Sequence, residues 1–190
     1  MKIALCLVGI VGSVEGKYGI GSPIDYRIGH HFHNKHIFDK NDTDVFIHSW
    51  STDFKEGLIN LYKPKKYIIE DQIDFKQPSI RFNSIASRWY STAMSVRLKS
   101  HYEQENNFKY DWVMLYRLDH VFLRDLIFKD FNNDYFYNSH ILECRNGCKC
   151  DSLGMYSDGW FFSNSENMDK FANLYEDWES YGIKHPHKEC

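Results

Sequence analysis

The run Tyr110-Asp111-Trp112-Val113-Met114-Leu115-Tyr116-Arg117-Leu118-Asp119-His120-Val121-Phe122 carries the most chemistry in this chain. Its apolar stretch has the character of a buried strand. It delivers Arg117, Asp119 and His120 at the carboxyl end, the edge where open α/β sheets bind ligands. Arg117 and Asp119 are two residues apart and so share one side of an extended chain. A carboxylate there can hold a divalent cation, and a guanidinium beside it can meet phosphate or fix the carboxylate. The same spacing also describes an Arg–Asp pair that merely ends the strand.

Other reactive residue types are less organised. Cys144, Cys148 and Cys150 crowd one loop with His140 upstream, but Cys-x3-Cys-x-Cys is not the paired spacing of a zinc ribbon, and no bound zinc is expected. His30, His31, His33 and His36 cluster without a His-Glu-x-x-His pattern, and a solvated helix face is expected for them. The glycines Gly9, Gly12, Gly16, Gly19 and Gly21 match neither a dinucleotide fingerprint nor a Walker loop. No Gly-x-Ser-x-Gly elbow is present to anchor serine-hydrolase chemistry.

The elements that must position these groups follow from periodicity. Predicted strands are Ile3–Val8, Asp44–Ser49, Tyr67–Glu70, Trp112–Leu118, Tyr135–Asn138 and Gly159–Ser163. Between them a helix is predicted from Ile24 to Phe38, with Ile24, Ile28 and Phe32 at i, i+4 spacing, and a short one over Phe54–Tyr62 stops before Pro64. A longer helix, Ser84–Glu103, has an apolar face of Ile85, Trp89, Ala93 and Val96, while Arg88, Thr92, Ser95 and Lys99 line a polar one. The last helix reads from a Ser163/Glu166 capping box through the stripe Met168, Phe171, Tyr175 and Trp178 to a C′ glycine at Gly182. Strands alternating with helices imply α/β layering.

Size and composition exclude several classes. At 190 residues the chain suits one domain, and its size permits a core that needs neither disulfides nor metal. Lys and Arg number 23 against 26 Asp and Glu, so no positive field favours nucleic acid as a partner. The isoelectric point is near 6.3 and the mean hydropathy is -0.55, with no apolar run long enough for a membrane span. Five cysteines, one of them inside the first strand, fit a reducing cytoplasm. Aromatic residues reach 17%, which suits stacking on sugar and base rings and equally reflects AT-rich coding.

Four segments together, Lys2–Gly9, Asp44–Trp50, Tyr110–Phe122 and Ser157–Ser165, resemble in order and spacing the small GT-A-fold glycosyltransferases encoded by large viruses, phages and capsule-building bacteria. The resemblance implies a single domain over residues 1–190, a GT-A-like, mostly parallel sheet flanked by helices, and residence in a cytoplasm, that of the host if the source is viral. It implies a nucleotide-sugar donor, UDP-linked before GDP-linked, lying across the carboxyl edge, and a glycan hydroxyl as acceptor. In that superfamily an Asp-x-Asp motif holds Mn²⁺ or Mg²⁺. Here the position reads Arg117-Leu118-Asp119, so the first acid is replaced and the second is kept.

Residue by residue, the resemblance implies Asp119 as metal ligand, with His185 and His187 near the C-terminus as further candidates. Gly9, His48, Arg88 and Arg117 would contact the donor: Gly9 through its backbone, His48 at the base, and the two arginines at the diphosphate or sugar. Asp158, before Gly159 and Trp160, matches the position of the catalytic base in inverting members. Two rivals remain. One is a non-catalytic nucleotide-sugar or carbohydrate-binding module on the same fold. The other is a nucleotidyltransferase, which would need a more basic phosphate loop than one holding only Lys17.

Overall fold

Residues Ile3 to Val8 are apolar on both sides of the chain, which only a strand covered on both faces can satisfy. In the computed structural model, which describes residues 1–11, 25–77, 79–141 and 155–177, they form the central strand β1 (Ile3–Gly9). All six are fully buried. There follow α1 (Tyr26–His36), β2 (Thr43–Ser49), α2 (Lys55–Tyr62), β3 (Lys66–Ile69), the long α3 (Ile80–Asn106), β4 (Trp112–Arg117), β5 (Tyr137–Ile141), β6 (Met155–Ser163) and α4 (Ser165–Asp177). The sheet order is β3-β2-β1-β4-β6-β5.

β1 to β4 are mutually parallel where they pair, and β6 lies antiparallel between β4 and β5. The α/β expectation holds, with a mixed sheet. Side chains of one face, including Leu5, Leu7, Ile47 and Met114, pack with Ile37, Leu58 and Tyr62 beside α1 and in α2. The opposite face, with Cys6, Val8, Phe46 and Leu115, packs with Val96 of α3 and with Met168 and Ala172 of α4. Strand order therefore departs from β1 in two directions, towards β2 and β3 on one side and β4 on the other. The boundary between β1 and β4 is a topological switch point, the place on an open α/β sheet whose carboxyl edge commonly binds ligands.

Several expectations are corrected. The predicted strand Tyr135–Asn138 begins later, at Tyr137, and Gly159–Ser163 is the second half of a longer strand. Ser163 is the last residue of β6 and not a cap. Its hydroxyl donates to the Tyr135 carbonyl, while Asn164 caps α4 by accepting from the Asn167 N–H at 2.9 Å. On α1 the buried side is Gly29, His33 and His36, whereas Ile28 is exposed. On the polar face of α3, Thr92, Ser95 and Lys99 are buried. Lys99 donates to Glu103, Ser165 and Asp169, and this satisfies its three N–H groups against α4. Burial drives the Cys6 thiol up to about 12, so it serves as a small apolar filler. Among the described residues no helix is long and apolar enough to cross a membrane. Ile24, the glycines from Gly12 to Gly21, the Cys144–Cys150 loop, Trp178, Gly182, His185 and His187 lie outside the described residues.

Candidate functional site

The parallel register aligns Val8 of β1 with His48 of β2 on one side and Arg117 of β4 on the other. These three residues form a row at the carboxyl edge, across the switch point. Beyond it, the Leu118 N–H donates to the Val8 carbonyl at 3.0 Å, and the His120 N–H closes a turn on the Arg117 carbonyl at 3.2 Å. The turn presents Asp119.

Gly9 leaves β1 with φ +96°, a conformation that side-chain-bearing residues rarely adopt. Its carbonyl accepts from the Ser49 hydroxyl at 2.8 Å, and the Ser51 hydroxyl accepts from the Val11 N–H at 3.0 Å. The end of β2 thus holds the exit of β1 in place.

Arg117 and Asp119 form a two-pronged ion pair. Nε donates to Oδ1 at 2.8 Å and Nη2 to Oδ2 at 2.7 Å. Their side chains are 23% and 15% exposed, enough to meet a ligand from solvent while the pair is held by its surroundings. Of the arrangements the spacing allows, the structure shows the guanidinium paired with the carboxylate. His120 Nε2 lies 4.0 Å from Asp119 Oδ1. Beneath the turn Tyr116 is buried, and burial first, with the Asp119 charge second, raises its phenol above the usual range.

The turn opens onto a cleft of about 440 Å³. Asp119 and His120 line one side, Phe122 and Leu123 continue it, and Gly159 and Trp160 of β6 face them. The Tyr116↔Trp160 pairing of β4 with β6 sets this opposition. Asp158 stands in β6 directly before Gly159, two residues beyond that pair and level with the end of β4. The fold therefore brings Arg117, Asp119 and the Asp158 position to one place.

His48 is fully buried, with Nε2 3.2 Å from Glu70 Oε1, and Tyr90 donates to the same oxygen at 3.2 Å. Trp50 and Tyr90 meet the imidazole edge-on, with ring centres 4.7 and 5.4 Å away. Burial lowers the His48 pKa against the raising effect of Glu70. With Nε2–H on the carboxylate, Nδ1 is left as an acceptor, and it has no hydrogen-bond partner among the described residues. Arg88 is half-buried in the third turn of α3, on the helix that covers this face. No described contact joins His48 or Arg88 to the Arg117–Asp119 pair.

Among the described residues no three His, Cys, Asp or Glu gather around a common point. Asp119 nonetheless fits a hard cation. Its oxygens accept N–H groups from Arg117, and a carboxylate oxygen can serve more than one partner. Mg²⁺-like ions are commonly held by one or two carboxylates plus substrate phosphates.

Sequence reasoning missed what holds the turn from below. His33 is buried, with Nε2 3.1 Å from the His120 carbonyl and Nδ1 2.9 Å from the Tyr62 hydroxyl. Gly29, His33 and His36 recur at i, i+4 and i+7, a signal of one buried helix face that the abundance of histidine masked. No protein-family model and no curated protein matches this chain, so its function has to be read from the chemistry of the site.

Proposed function

We propose that this protein is a glycosyltransferase that moves a sugar from a nucleotide-sugar, with UDP-linked donors first to test, onto a glycan hydroxyl. One observation carries the reading. Asp119, paired with Arg117 at the carboxyl end of β4, lines an aromatic-walled cleft whose lining also takes in Gly159 and Trp160 of β6, just after Asp158.

In this reading the donor diphosphate lies over the carboxyl edge. Asp119 holds Mn²⁺ or Mg²⁺ with it, and the His185–His187 segment is a further candidate ligand source. The cation supplies charge neutralisation of the leaving nucleoside diphosphate. Arg117 offers its N–H groups to diphosphate oxygens, exchanging part of its pairing with Asp119. Arg88 adds a second fixed positive charge. Gly9 allows close backbone approach of the nucleoside.

Trp160 and Phe122 give the sugar rings flat apolar walls. As the acceptor oxygen attacks the anomeric carbon, Asp158 takes the hydroxyl proton, and the bond to the diphosphate breaks with its electron pair leaving on the phosphate oxygen.

A second reading, a binding module without turnover, draws on the same ion pair. Arg117 stands where an acid would supply a second ligand, and its fork already occupies Asp119. Calorimetric titration with UDP- and GDP-sugars, with and without Mn²⁺, followed by an assay of donor hydrolysis, separates the readings. Binding with hydrolysis or transfer supports the enzyme, and binding alone supports the module. Failure to bind any nucleotide-sugar removes both.

A further inference from the structure

We infer that His33 is a positioning residue for Asp119, setting the Leu118–His120 turn from underneath; the inference rests on the reading of Asp119 as a cation ligand. α1 touches the segment after β4 at three successive turns of one helix face. Gly29 comes first: a Cβ there would lie 3.2 Å from the Leu118 carbonyl oxygen, so the glycine lets the helix approach the backbone just before Asp119. His33, one turn on, reaches the His120 carbonyl just after Asp119 at 3.1 Å. His36 then pairs with Asp125 at 2.7 Å, and its carbonyl accepts from the Leu126 N–H at 2.9 Å.

The His33 ring has only one arrangement compatible with these partners. A carbonyl can only accept, so the proton sits on Nε2, and Nδ1 accepts from Tyr62 at 2.9 Å. The ring also stands against the edge of Tyr116, with centres 5.0 Å apart. Two hydrogen bonds and an aromatic contact leave it no freedom to rotate. The backbone on both sides of Asp119 is thereby held by α1, while Arg117 orients the carboxylate itself. A cation ligand held from two directions matches the outer support that metal-binding side chains commonly need, whose removal costs about 10–100-fold in affinity.

The test uses Mn²⁺ with UDP as the probe, binding calorimetry, and amide hydrogen exchange across residues 118–121. His33→Leu keeps the volume and removes the hydrogen bond, so Mn²⁺–UDP affinity should fall by about tenfold or more. Exchange at the turn should quicken. His33→Gln, whose amide can donate to the same carbonyl, should restore both, a rescue that packing alone does not predict. Gly29→Ala, which presses on the Leu118 carbonyl from the same face, should also weaken binding, and it serves if the Leu variant does not fold. Wild-type affinity and exchange in His33→Leu and Gly29→Ala would overturn the inference. If the wild-type protein binds no Mn²⁺ with UDP, the proposed function fails, and exchange in the His33 variants still decides whether this histidine sets the turn.

Discussion

Replacing Asp119 by Asn removes a negative charge while keeping the side chain's shape and one acceptor for Arg117. The fold should survive, and the Mn²⁺-dependent part of donor affinity should vanish. Calorimetry with and without the ion checks this, and equal affinities in both proteins would remove the metal role. Asp158→Asn should leave donor binding intact and lower transfer by about 10²–10⁴-fold, the usual contribution of a general base. A product retaining the donor's anomeric configuration would contradict that role. The closeness of Arg117 and Asp119 was legible from their spacing, but its cause was not: β4 ends at Arg117, and the turn that follows, not a strand's period, brings Asp119 beside it. The fork that locks them was not legible either, since it depends on rotamers set by the surrounding turn. His48 was read as a donor contact from its place at a strand end. Its full burial against Trp50, Tyr90 and Glu70 corrects that reading, because the imidazole has no exposed surface to offer a donor.

At the scale of elements, α3 and α4 are joined by a buried charge network on what periodicity gave as the polar face of α3. Glu103 accepts from the Tyr110 N–H at 2.8 Å, Ser165 at 2.7 Å and Lys109 at 2.9 Å, besides Lys99. Burial alone would raise its pKa; these partners outweigh burial and hold the carboxyl below its usual value. Lys99→Met should cost about 3–5 kcal/mol, because it leaves buried carboxylates without their central cation. The shift in urea midpoint measures this, and a loss below about 1 kcal/mol, typical of exposed pairs, would show the network to be dispensable. The helices were recognisable from their apolar stripes, but charged residues are normally outside. Only the approach of α4 shows that Lys99 is inside. Likewise, histidines on α1 looked solvated until the turn after β4 was found seated on them.

For the whole molecule, the buried imidazoles set the response to acid. Burial lowers His33 to about 4, with the His120 carbonyl acting in the opposite direction, and it also lowers His48. In the unfolded chain both titrate near 6.5. Stability is therefore full above about pH 6.5 and falls as the pH drops towards 4, because the unfolded state takes up protons that the folded state refuses. For His33 the loss is on the order of 3 kcal/mol. Urea midpoints measured from pH 7.5 to 4 should decline more steeply in the wild type than in His33→Gln; identical slopes would contradict the assignment. Local patterning determined the α/β class, the central strand and the residues at the end of β4, because burial on both faces and the alternation of periods are written into neighbouring side chains. The direction of β6, the switch point, the cleft between Asp119 and Trp160 and the clamp from α1 were decided only by tertiary packing. An apolar strand reads the same in either direction, and contacts between residues as distant as His33 and His120 leave no local signal.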